Sequence, residues 1–155
     1  MLRQWSGSID VTAPRRGLHD ITYEVERWVA ERAVQSGLLT LFCRHTSASL
    51  LVQENAAPAA RRDLETYFER VAPENPALYT HNDEGPDDMP AHLRSALTQT
   101  QLSIPVTDGR MVLGTWQGVY LFEHRREPST RQIASLRPLL ILFRSLACER
   151  PTRME

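Results

Sequence analysis

Three of the five histidines in this chain of 155 residues, His45, His81 and His92, stand in polar surroundings or where an apolar run ends. Imidazole in such places can ligate a metal ion or move a proton near neutral pH. His81 and His92 bracket a segment that also holds Asp83, Glu84, Asp87 and Asp88. One loop therefore offers nitrogen and oxygen donors of the kind a divalent ion takes. No H-E-x-x-H or comparably tight motif accompanies them. The plainer reading of the same segment is a solvated acidic loop in which Asp88 caps a helix.

A second concentration of chemistry is His45-Thr46-Ser47-Ala48-Ser49. Its hydroxyls could hold a phosphate or carboxylate, or satisfy backbone groups within a turn. A serine nucleophile is discounted, since there is no G-x-S-x-G elbow and no neighbouring base in sequence beside Ser47 or Ser49. Further on, Gln117, Glu123 and Arg125 share one parity of a long alternating run, so one sheet face could present an amide, a carboxylate and a guanidinium. The alternative there is a cross-strand salt bridge. His19 borders a helix start, where the dipole disfavours a cation, and His124 shares parity with Trp116 and Tyr120. Both read as structural. Neither G-x-x-x-x-G-K-[ST] nor G-x-G-x-x-G occurs, so no nucleotide cofactor is indicated.

The elements that must position these groups follow from hydrophobic period and punctuation. Residues 2–12 read as a strand ended by Ala13-Pro14-Arg15-Arg16-Gly17, a turn-forming cluster that also carries positive charge. Ile21, Val25, Trp28, Val29 and Ala33 recur at helical spacing between Asp20 and Ser36, with Asp20 or Thr22 as N-cap and Gly37 as terminator. Leu38 to Arg44 is a buried strand that delivers His45, and Leu50-Leu51-Val52 continues the sheet. Pro58 opens a second helix with a stripe of Ala60, Leu64, Tyr67, Phe68 and Val71, closed by Pro73 and Pro76. Tyr79 to Asp88 is too polar for core. A short helix carries His92, Leu102 to Val106 is a strand, and Thr107-Asp108-Gly109-Arg110 is a hairpin turn. From Val112 to Arg125 both parities are partly apolar, as in a central strand. Leu139 to Phe143 is a terminal helix or an adhesive tail.

A chain of this length makes one domain with a real core, hiding roughly two thirds of its unfolded surface. Basic side chains number 18 against 19 acidic, net −1, so no broad field gathers nucleic acid or anionic lipid. Cys43 and Cys148 are the only thiols, without metal or redox spacing. With no signal-peptide pattern and no apolar stretch near the ~20 residues of a bilayer span, the expectation is a reduced, cytoplasmic protein.

Three segments carry a resemblance to a known family: His45-Thr46-Ser47-Ala48-Ser49 with Glu54-Asn55; Tyr79 through His92, which contains His81-Asn82-Asp83-Glu84-Gly85-Pro86-Asp87-Asp88; and Leu113-Gly114-Thr115-Trp116-Gln117-Gly118. In these the chain resembles the YjbQ (UPF0047) family over residues 3–136, with 137–155 a divergent C-terminal tail. The resemblance implies a single α+β domain, a β-sandwich-like, mainly antiparallel sheet with a few helices, assembled as a homotrimer with its polar residues in one cleft. It also implies secondary thiamine-phosphate synthase activity, a transferase joining hydroxymethylpyrimidine diphosphate to a thiazole phosphate with loss of pyrophosphate. By that resemblance His45, His81, His92 and Asp88 are catalytic, and His45, His81, His92 and Asp83 hold a divalent ion, zinc or magnesium. Thr46, Ser47, Asn55, Gln117, Glu123 and Arg125 then bind the small phosphorylated substrate. Two alternatives stay open: a metal-dependent enzyme, such as a hydrolase, acting on another small phosphorylated metabolite, and a non-catalytic trimeric protein that binds a metal or anion.

Overall fold

Punctuation by glycine and proline divides the chain much as expected, and the computed structural model describes residues 4–137. The strands are β1 (Trp5–Ala13), β2 (Gly17–Asp20), β3 (Gly37–Cys43), β4 (Ala48–Glu54), β5 (Gln101–Thr107), β6 (Arg110–Met111), β7 (Gln117–Glu123) and β8 (Ser129–Arg137). The helices are α1 (Thr22–Glu31), α2 (Pro58–Val71) and α3 (Asp88–Ala96), with a single 3-10 turn at Pro76–Leu78. All strand pairings are antiparallel, in one sheet of order β1-β8-β3-β5-β6 and another of order β2-β7-β4. The α+β expectation holds. The Leu139 to Phe143 segment lies outside the described residues.

The two sheets and α1 close on one core. Leu39, Leu41, Leu102, Ile104 and Ile133 come from the larger sheet, Leu50, Val119 and Leu121 from the smaller, and Val25, Trp28 and Val29 from α1. On the other side of the smaller sheet, Phe68 of α2 meets Leu18, Tyr120 and Phe122 in a separate cluster. β7 is therefore apolar on both faces and central in its sheet, as its sequence demands.

Some boundaries moved. β2 was not foreseen, because four residues after a turn are too short to show a period. Asp20 does accept the Thr22 N–H at 2.9 Å, but the cap position is Ile21, and α1 stops at Glu31 with Ala33 at φ 49°. Gly37 opens β3 instead of ending the helix. In α2 only Phe68 of the expected stripe is buried, while Tyr67 and Val71 face outward. The run from Val112 is not one strand: the Gln117 N–H donates to Gly114 O, making a turn before β7 begins. The Thr107–Arg110 turn is as expected. Asp108 and Gly109 both have positive φ (50° and 77°), the requirement of a type I′ hairpin that Gly meets at no steric cost.

His124, just past β7, is fully buried against the Phe122 ring, with Nε2 2.9 Å from Ser49 Oγ. An imidazole 75 positions away in sequence therefore stands beside Ser49, but both groups are sealed from solvent and read as structural, as expected for His124. Burial, followed by the nearby Arg94 guanidinium, pushes the His124 pKa down to about 3. The unfolded chain then binds this proton more readily than the native one between about pH 6.5 and pH 3. Stability accordingly falls on acidification through that window by about 1.4 kcal/mol per pH unit. Urea unfolding at pH 7 and pH 5 should show a loss of about 2 kcal/mol from this source, before most carboxylates titrate. In His124→Gln the loss between these two pH values should shrink by about that amount.

Candidate functional site

α3 begins where Asp87 and Asp88 follow the sharp turn at Gly85, and Pro90 sits early enough in the helix to need no N–H partner. Asp88 was expected to cap this helix. The cap position is Asp87, and no side-chain cap bond forms. Asp88 lies inside the first turn and is buried, so Asp88 and His92 stand at i and i+4 on one face. The preceding loop is fixed from within: the Tyr79 hydroxyl donates to Pro73 O at 2.8 Å, and the Asn82 amide donates to Tyr79 O at 2.7 Å. This brings His81 over the helix start.

Three ligand atoms converge there. Asp88 Oδ2 lies 2.9 Å from His81 Nε2 and 3.4 Å from His92 Nε2, and one donor atom from each residue falls within 4.8 Å of the others. A tetrahedral zinc ion with bonds of about 2.0–2.1 Å has ligand edges of about 3.3 Å, so the spacing suits such an ion. His92 Nδ1 stands 3.2 Å from the Thr46 carbonyl. A carbonyl only accepts, so Nδ1 carries a proton, and the tautomer with its lone pair on Nε2 would present that lone pair on the Asp88 side, the usual outer support of a ligating histidine. Asp88 Oδ2 is itself buried with no hydrogen-bond partner among the described residues. Although His81 Nε2 is within reach of that oxygen, the angles make no hydrogen bond. Two imidazole nitrogens and a buried carboxylate oxygen thus converge on one point, an arrangement that a bound cation would satisfy.

Arg125 aims the carboxylates. Its Nη1 donates to Asp88 Oδ1, its Nε to Asp87 Oδ2 at 3.3 Å and its Nη2 to Glu84 O at 2.7 Å. Asp87 Oδ2 also accepts the Arg126 N–H at 2.9 Å. Burial acts to raise the Asp87 pKa, but the Arg126 N–H and the Arg125 charge outweigh it and hold the carboxyl below its ordinary value. Arg125 is itself placed by Glu123, whose Oε1 accepts the Arg125 N–H at 2.9 Å. Glu123 is wholly buried and accepts further bonds from Ser129 Oγ (2.6 Å), Arg131 Nε (2.6 Å) and Arg131 Nη2 (2.7 Å). Burial opposes its charge, yet these donors keep its pKa low, and its own hydrogen bond to Arg131 raises the pKa of that guanidinium.

The expected site residues divide. His81, Asp88 and His92 come together. His45 does not join them, since its Nε2 accepts the Gln132 N–H at 2.9 Å, and burial with the Arg131 charge lowers its pKa. Asp83 is exposed and outside the cluster. Ser47 accepts from Arg131 at 3.1 Å, and Thr46 contributes its carbonyl to His92. Asn55 and Gln117 sit at the opposite end of β7: Asn55 Nδ2 donates to Gln117 O at 3.3 Å, and Gln117 Oε1 accepts the Gly114 N–H at 2.8 Å. Gln117 and Glu123 lie six residue steps apart along β7, about 20 Å at roughly 3.3 Å per residue. Within one chain the shared face does not make one site. Glu123, with Arg131, is the salt bridge that was the alternative reading. Asp87 figured in the sequence only among the donors of its loop, and Arg131 and Ser129 were not singled out; the signal that could have paired Asp88 with His92 is their i, i+4 spacing on one helix face.

Among the described residues, two antiparallel sheets, three helices and a histidine-carboxylate cluster at the start of α3 define a small α+β protein with a candidate metal centre. Among the described residues, no helix is long and apolar enough to cross a membrane. A family model described as UPF0047 protein YjbQ-like matches residues 7–136. The chain is 46% identical over 131 residues to the UPF0047 protein sll1880 of Synechocystis, covering 84% of this chain and 89% of that one. It is 43% identical over 127 residues to the UPF0047 protein YjbQ of Escherichia coli O157:H7, covering 81% and 91%. Its fold is similar to the crystal structure of a YbjQ-like protein of unknown function from Sulfolobus solfataricus P2, with TM-score 0.80 and 25% identity over 88% of this chain and 98% of that one. A hypothetical protein from Aeropyrum pernix K1, APE1520, gives TM-score 0.76 and 31% identity, covering 86% and 97%. The chain belongs to the YjbQ-like UPF0047 family.

Removing the Glu123 carboxylate should leave the Arg131 charge buried without its partner, a change worth about 3–5 kcal/mol. Glu123→Ala is expected to lose that much stability in equilibrium unfolding.

Proposed function

We propose that this protein binds a divalent metal ion through His81, Asp88 and His92 and uses it on a small phosphorylated substrate. The observation that carries the reading is the convergence of His81 Nε2, His92 Nε2 and the buried Asp88 Oδ2, which makes no hydrogen bond among the described residues. Two imidazoles and one carboxylate suit zinc better than magnesium, which favours oxygen ligands. His81, Asp88 and His92 would hold the ion, which would supply Lewis-acid stabilisation of phosphoryl oxygens. Arg125 orients Asp87 and Asp88, and the Thr46 carbonyl holds His92 in its ligating tautomer. Arg125 is thus a positioning residue, with most of its donors spent on the loop.

The particular reaction we propose is transfer with loss of pyrophosphate, the thiamine-phosphate synthase chemistry of the family resemblance. Charge builds on the departing pyrophosphate, and a cation held by His81, Asp88 and His92 would neutralise it. The same donor set serves hydrolysis of another phosphorylated metabolite. We place the protein in the cytoplasm as a homotrimer, a state that sedimentation equilibrium measures directly.

Zinc titration of the metal-stripped protein should reach one ion per chain. His92→Ala and Asp88→Asn should each weaken it by about tenfold to a hundredfold or more, using the loss of one supporting contact as the lower bound. A wild-type protein that takes up neither zinc nor magnesium would falsify the metal reading. Growth of a thiamine-requiring bacterium that lacks its own synthase tests the transfer reaction. Rescue by the wild type, lost in a folded Asp88→Asn protein, is the expected result. Absence of rescue by the wild type removes the transferase reading.

A further inference from the structure

The basic turn Arg15-Arg16-Gly17 takes no part in the histidine cluster, yet it forms one wall of a cavity of about 440 Å³, a size that suits a small ligand. Arg94 and Arg126 line the same space, and Phe68 and Phe122 supply its apolar surface. Arg94 follows His92 by two positions and so leaves α3 on nearly the opposite side. The cavity is therefore separate from the candidate metal centre, and the inference does not depend on an ion being there.

Four guanidiniums meet here, and the carboxylates around them are largely spent. Glu65 Oε1 accepts the Leu18 N–H at 2.7 Å. Glu69 takes Arg16 Nη2 at 2.7 Å. Glu74 is shared between Arg16 and Arg126, with Arg94 Nη2 at 3.9 Å. Three carboxylates thus stand against four cations. Arg94 is the critical member, because its side chain is only 2% exposed. Nη2 donates to the Ala72 carbonyl at 2.7 Å, while Nε meets no acceptor among the described residues. A buried guanidinium with an idle donor, whose nearest carboxylate, Glu74, is shared with Arg16 and Arg126, is costly. Arginine forks match the oxygens of phosphate, which supply several acceptors at once. Beside them, Phe68 and Phe122 meet edge to face with ring centroids 5.3 Å apart, a wall suited to a flat apolar body.

We infer that this cavity binds a phosphate monoester with an apolar body, its oxygens among Arg15, Arg16, Arg94 and Arg126 and its body against Phe68 and Phe122. Calorimetric titration of the full chain in EDTA, with phenyl phosphate and inorganic phosphate as probes, tests it. Phenyl phosphate should bind at least about tenfold more tightly than inorganic phosphate, a modest gain for burying one ring. Arg94→Met risks the fold, so the informative variants are Arg126→Gln, at a half-exposed side chain, and Arg16→Gln. Each should weaken phenyl phosphate at least about tenfold, in line with loss of one charge-assisted contact. The inference is overturned if phenyl phosphate does not bind, if the two probes bind equally, or if both variants match the wild type. Binding that appears only when zinc is added would place the ligand at the histidine cluster and overturn it as well.

Discussion

One buried carboxylate, that of Glu123, holds together the part of the molecule where chemistry is concentrated. It ends β7, sits entirely out of water, and receives donors from the following backbone, from Ser129 at the start of β8 and from Arg131 within it. A charge in that position survives only because every donor is in place. The constraint fixes the corner between the two sheets and, through the Arg125 N–H, sets the direction in which the next guanidinium leaves. Arg125 then reaches Glu84, Asp87 and Asp88, so the loop that carries His81 is anchored through the core.

The larger elements were legible because their signals are local. β1, β3, β5, α2 and the Asp108-Gly109 turn each announce themselves within a dozen residues, and β7 reads as central from its two apolar parities. The candidate site was legible in place but less so in membership. Asp88 and His92 are one helical turn apart, a spacing visible once Asp88 is put inside the helix. His81 reaches them only through the path of a loop with no period of its own. His45 resembled a ligand in composition, yet β8 passes close enough for the Gln132 N–H to take its lone pair, a pairing 87 positions apart that no local pattern records. For the same reason Arg131, on which Glu123 depends, drew no notice as a member of an unremarkable edge of sequence.

The separation of Asn55 and Gln117 from the histidine cluster follows from β7 running straight between them. The family resemblance assigns these residues to one substrate set, while strand geometry sets them at opposite ends. Each end has its own order: amide-to-backbone bonds around Trp116 at one, and charge-assisted bonds around Glu123 at the other. The second end faces α3 and holds the groups with unspent coordinating capacity.

The two-sided burial of β7 also governs how the chain avoids misassembly. A slip of this strand by a single residue would exchange the contents of its faces, sending Glu123 toward Phe68 and Leu18 and turning Tyr120 into the aliphatic core. Arg131 would lose its acceptor and His124 its contact with Ser49. Misaligned pairings are therefore penalised by stranded charge as well as by poor packing, so an acidic residue at the end of an apolar strand serves as a check on alignment during folding.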